Sequence, residues 1–113
     1  FDPVRARARL GDVFDPDVTQ MICFEGMRVG VFVFRLFDDE FLLDHLYVYP
    51  DFQGLGIGSA VMSELTRTAD QDGKQIRVGA LKESQANLFY IRHGFQEVGQ
   101  SEWDVFYVRP SLP

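Results

Sequence analysis

Only one cysteine, Cys23, occurs in the 113 residues, so no internal disulfide can form and a small secreted, disulfide-stapled scaffold is excluded. A reducing cytoplasm is the compartment this fits. Long apolar runs are lacking too: none approaches the roughly 20 residues needed to cross a bilayer, and no basic start leads into an apolar stretch and a small-residue cleavage site. We expect a soluble protein without membrane association. Cations are scarce, with 11 Lys and Arg against 17 Asp and Glu and a net charge of -6. That balance offers no broad positive face to neutralise a nucleic-acid backbone, so nucleic acid is excluded as a partner. The acidity serves solubility; it can concentrate a cationic amine near the surface but does not identify one. No metal site is expected.

What the chain does contain is apolar material, 46% of residues with 14% aromatic, enough for one core of ordinary size. No repeat, low-complexity tract or linker divides it, so residues 1–113 are read as one domain. Asp2-Pro3 ahead of Val4 to Leu10 predicts a short helix, capped by Asp, with Pro at its first position and Gly11 at its end. Thr19 to Glu25 and Arg28 to Phe37 are rich in β-branched and aromatic residues, and Glu25-Gly26 between them predicts an antiparallel hairpin. Phe41 to Tyr49 is a third strand, stopped by Pro50.

Ile57, Ala60, Val61, Leu65 and Ala69 recur at spacings of three and four, which predicts an amphipathic helix closed by Gly73. Gln75 to Leu81 alternates as a strand does. Ser84 to His93 is a second helix, capped by Ser84 and terminated by Gly94. Phe95 to Gly99 and Asp104 to Val108 complete a sheet. Cys23, in an apolar strand, reads as inert core.

The chemistry concentrates in Asp51-Phe52-Gln53-Gly54-Leu55-Gly56-Ile57-Gly58-Ser59, between a strand and a helix. Free N–H groups and the positive end of the helix dipole favour an anion there, and a pyrophosphate is the natural occupant. Alternate glycines let the backbone approach phosphate oxygens, and the Gln53 amide can donate. Spacing alone also allows a tight turn in which glycine serves geometry only. A dinucleotide fingerprint would need a glycine where Ser59 stands, and a Walker-type loop would need a lysine that is absent.

Three segments together resemble the GNAT superfamily of N-acetyltransferases, over roughly Met21 to Pro110: Leu46-Tyr47-Val48-Tyr49-Pro50, the loop Gln53 to Gly58, and Ala86-Asn87-Leu88-Phe89-Tyr90-Ile91-Arg92-His93-Gly94-Phe95. The resemblance implies a mixed α/β (α+β) fold with a central twisted, mostly antiparallel sheet, helices on both faces, and acetyl-CoA as donor. It implies that the backbone of Leu46, Tyr47 and Val48 holds the pantetheine arm in a slot beside the next strand. It further implies that Gln53, Gly54, Leu55, Gly56, Ile57, Gly58 and Ser59 cradle the pyrophosphate, with Ser84, Asn87 and Tyr90 on the cofactor side.

Tyr90 matches the position that often protonates the departing thiolate. For the base, His45 and Asp44 are candidates together with Glu40. His has a pKa suited to neutral pH, and strand alternation puts Asp44 and His45 on opposite faces. His93, in the last turn of its helix, is assigned to the helix dipole.

Two departures from the family pattern matter. Ser84 stands where many relatives carry Asn. The family's first strand and helix have no counterpart before the helix read at Pro3 to Leu10, so the domain is expected to be short at its start and its bare sheet edge to be covered in a homodimer. The expected activity is transfer of an acetyl group from acetyl-CoA to a primary amine, of a small molecule in preference to a protein lysine or N-terminus. A non-catalytic acyl-CoA-binding regulatory module is the alternative.

Overall fold

The computed structural model describes residues 5–8 and 19–113. Strands β1 (Arg5–Ala8), β2 (Thr19–Phe24), β3 (Met27–Leu36) and β4 (Glu40–Val48) lead through a short 3-10 turn, Pro50–Phe52, to helix α1 (Ile57–Gln71). Then come β5 (Gln75–Leu81), α2 (Ala86–Arg92), β6 (Gln96–Gln100) and β7 (Asp104–Arg109). One seven-stranded sheet runs β1-β2-β3-β4-β5-β7-β6. Every pairing is antiparallel except β4 with β5, the pair joined by the α1 crossover.

The β2–β3 hairpin turns on Glu25 and Gly26, both at positive φ (51° and 82°), the geometry that matches the twist of the flanking strands. The expected helix at Pro3 to Leu10 is corrected: Arg5–Ala8 is strand, paired in register with Gln20–Cys23 of β2. Arg5-Ala6-Arg7-Ala8 alternates basic and small apolar residues at a period of two, and ladder bonds to β2 outweigh the Asp-Pro start signal. The rest of that segment lies outside the described residues. With β1 against β2, the bare edge that motivated a homodimer is no longer at β2.

The core gathers on one face. Ile76, Val78 and Ala80 of β5 and Val105 and Tyr107 of β7 meet Ile57, Val61, Met62, Leu65 and Ala69 of α1 in one buried cluster that also takes in Tyr90 and Phe95. Both described helices sit on this face: Tyr107 of β7 donates its hydroxyl to Asn87 of α2, and Arg109, on the same side of β7, pairs with Asp70 of α1. Arg109 is the one buried charged residue in the described core, and both of its terminal nitrogens reach Asp70, at 2.8 and 3.1 Å. Two parallel bonds of this kind fix orientation as well as distance.

Two irregularities shape β4. Val33 pairs with His45 but Phe34 pairs with Leu43, so Asp44 is an extra residue in a bulge. The bulge breaks the alternation expected of Asp44 and His45: Leu43 and Leu46, three apart, both turn to the core. Further on, β4 and β5 pair only from Glu40 with Gln75 to Leu43 with Val78. Beyond that point β5 keeps its ladder to β7 as far as Leu81, while Asp44–Val48 has β3 on one side only. The two strands splay apart.

Candidate acyl-CoA site

The glycine cluster closes the mouth of this splay. Gly54 and Gly56 both sit at φ +82°, and Gly56 is the N-cap of α1, a left-handed position where a side chain would be strained. Helical bonding begins with Ala60 N–H to Gly56 C=O at 3.0 Å. Among the described residues, none of the N–H groups from Gly54 to Ser59 donates to a protein acceptor. A continuous run of free donors at the positive end of a helix is built for an anion of several oxygens, such as a pyrophosphate. Gln53, expected to donate to that anion, gives one amide N–H to the Val48 carbonyl at 2.8 Å, which ties the loop to the end of β4 and leaves its second N–H free.

A cavity of about 410 Å³ joins the loop to the splayed strand. Its wall includes Leu46, Tyr47 and Val48, the loop residues Gln53, Gly54, Gly56, Ile57, Gly58 and Ser59, and Tyr90. These expected residues are brought together. Leu55 is not among them; its side chain is 62% exposed. Ser84 and Asn87 also stand off the wall. Ser84 Oγ accepts from Ala86 N–H at 3.2 Å from one residue ahead of the N-cap, Gln85, and Asn87 donates to the carbonyls of Leu81 and Ser84, both at 2.9 Å, while accepting from Tyr107 at 2.7 Å. Asn87 thus fastens the β5–α2 connection to β7.

The sequence reading did not assign Phe52, Gln85, Ala86, Phe89 and Arg92, which complete the wall. Phe52 comes from the 3-10 turn before the loop, and the other four from a crossing of α2 over the N-terminus of α1 that no local pattern encodes. Phe89 covers Gly58, where an added Cβ would stand 3.5 Å from its ring. Ser59 Oγ and His93 Nε2 lie 3.1 Å apart, so His93, at the C-cap of α2 where it was expected, also bonds across to α1. Burial, and then the neighbouring Arg92 charge, lower the His93 pKa and favour its neutral form.

Tyr90 is buried in an aromatic cluster with Phe89, Phe95 and Tyr107 while still forming part of the cavity wall. Burial raises its pKa, so it keeps its proton throughout the neutral range. Of the candidate bases, Asp44 is held by Arg35 at 2.8 Å and Glu40 by Arg77 at 3.0 Å, with Gln75 also on Glu40. A carboxylate already neutralised by a guanidinium is a poor proton acceptor. His45 is exposed, and its side chain has no hydrogen bond or ion pair among the described residues. None of the three lies on the cavity wall.

Comparison with known proteins agrees with this architecture. The family model for the acetyltransferase (GNAT) domain matches residues 17–97. The chain belongs to the GNAT acetyltransferase family. No curated protein sequence matches it. Among solved structures, a GNAT family acetyltransferase from Elizabethkingia anophelis with acetyl-CoA bound superposes with a TM-score of 0.80 at 11% identity, over 97% of this chain and 99% of that one.

The ribosomal-protein-S18-alanine N-acetyltransferase of Escherichia coli gives 0.75 at 18% identity, over 98% and 83% of the two chains. The PaiA N-acetyltransferase of Thermoplasma acidophilum, in complex with coenzyme A, gives 0.75 at 15% identity over 84% of this chain and 61% of that one. At these identities the likeness is one of fold. Among the described residues no helix is long and apolar enough to cross a membrane.

Proposed function

We propose that the protein transfers an acetyl group from acetyl-CoA to a primary amine of a small molecule, by direct attack of the neutral amine on the thioester. One observation carries this reading: Gly54 and Gly56 to Ser59 with their free N–H groups, Leu46 to Val48 where β4 has left β5, and Tyr90 all line one cavity. The family and the acetyl-CoA- and CoA-bound neighbours support the choice of donor.

In this reading the loop and the α1 N-terminus take the pyrophosphate, and Leu46 to Val48 offer their free edge to the amide groups of the pantetheine arm, much as a strand is added to a sheet. A backbone N–H of that stretch polarises the thioester carbonyl, worth roughly 10²–10³ in rate for one donor. The acetyl-CoA supplies an activated acyl group. As the amine nitrogen bonds to the carbonyl carbon and the C–S bond breaks, Tyr90 gives its proton to the sulfur and regains one from water. The ammonium proton leaves through His45 or water, since Asp44 and Glu40 are bound to arginines.

Calorimetric titration with acetyl-CoA, followed by thiol release with a panel of small amines and with peptides, tests the reading. Binding together with amine-dependent thiol release is expected. Binding without release from any acceptor would leave a non-catalytic acyl-CoA-binding module, and no binding would remove the donor itself.

A further inference from the structure

Arg92 is the one charged residue on the cavity wall, and its guanidinium has no hydrogen bond or ion pair among the described residues. Its place along the cavity is fixed by its neighbours on α2. Phe89 lies over Gly58, and His93 meets Ser59, so the turn that carries Arg92 crosses the first turn of α1. Arg92 is therefore at the phosphate end of the cavity, away from Leu46 and the strand splay.

The loop and α1 N-terminus supply neutral N–H donors enough for one pyrophosphate. A coenzyme A molecule carries a further phosphate, the dianionic monoester on its ribose, and an acidic chain with a net charge of -6 repels it unless a cation is set locally. An arginine fork fits such a phosphate, and here Arg92 stands on the cavity wall beside the cradle with no competing carboxylate.

We propose that Arg92 binds the ribose 3′-phosphate of the donor and so makes this protein select coenzyme A over donors that lack that group. The proposal rests on the acyl-CoA reading above. The residue contributes to binding and leaves the acyl end of the site untouched.

The test titrates coenzyme A and 3′-dephospho-coenzyme A into the wild type, Arg92→Gln and Arg92→Lys, with a thermal melt of each to confirm folding. The wild type should prefer coenzyme A by about tenfold, as one charge-assisted contact at an exposed position provides. Arg92→Gln should lose that factor for coenzyme A alone and leave the dephospho form unchanged, so the preference disappears. Arg92→Lys should restore part of it. Equal binding of both ligands by the wild type, or equal weakening of both by Arg92→Gln, overturns the assignment while sparing the cofactor reading. A wild type that binds neither overturns the cofactor reading itself.

Discussion

The carbonyl oxygen of Tyr47 stands 2.2 Å from the position a Cβ would take on Gly30. Strand β4 leans over β3 at this point, and only the missing side chain permits it. The Tyr47–Val48 backbone is also part of the cavity wall, so the close approach shapes the proposed pantetheine edge. Gly30→Ala must push the two strands apart. It should cost about 1–3 kcal/mol of stability, as overpacking against backbone does, and weaken acetyl-CoA binding beyond what the melt alone accounts for. Urea unfolding and titration at a temperature where the variant is fully folded check both parts; unchanged affinity would detach β3 from the shape of the site.

Ser59 offers a substitution that should change binding far more than folding. It lies in the first turn of α1, beside the free N–H groups, and a carboxylate there interacts favourably with the helix dipole by about 0.3–1 kcal/mol. That gain offsets the bond to His93 that the substitution removes, so Ser59→Glu should melt close to the wild type. The same carboxylate would occupy and repel the pyrophosphate position, so acetyl-CoA affinity should fall at least about tenfold. Retained affinity would place the phosphates elsewhere.

The elements with strong periodicity were readable from the chain. Ile57 to Ala69, the alternation of Ile76, Val78 and Ala80, and the terminators Gly73 and Gly94 all lie where the pattern puts them. The glycine cradle was readable because its chemistry is local. What escaped was set by contacts between distant residues. Arg92 and Phe89 reach the cavity through the crossing of two helices, and Asn87 is drawn away to Tyr107 of β7. At Arg5–Ala8 the sequence carries both a period of two and an Asp-Pro capping signal, and pairing with β2 decides for the strand.

Asp70 and Arg109 should govern the response to acid. The Arg109 hydrogen bonds, followed by the Leu112 N–H, lower the Asp70 pKa below the ordinary carboxylate value. A carboxyl whose folded pKa is depressed stabilises the fold above its unfolded pKa, and that contribution is lost as pH falls through the folded value. Asp70→Asn should cost about 2–4 kcal/mol near neutrality, because it leaves the buried Arg109 without its counter-charge. Its stability should also vary less with pH below about 5 than that of the wild type. Urea unfolding across a pH series measures both; parallel curves for the two proteins would show that another carboxyl controls acid unfolding.

Tyr90 is the residue on which the proposed chemistry depends most directly. Its ring is only 7% exposed and packs on Phe89, Phe95 and Tyr107, contacts that Tyr90→Phe retains. Stability should change by less than about 1 kcal/mol, since the loss is one hydroxyl at the cavity wall. If that hydroxyl protonates the departing sulfur, kcat should fall by roughly 10²–10⁴ while acetyl-CoA affinity stays close to wild type. Because burial raises its pKa above the ordinary 10.0, the wild-type rate should not decline through loss of this proton until pH exceeds that value. Steady-state kinetics with a competent amine, compared at several pH values, decide the point: a loss in kcat smaller than about threefold would assign the proton to water and leave Tyr90 as wall and packing alone.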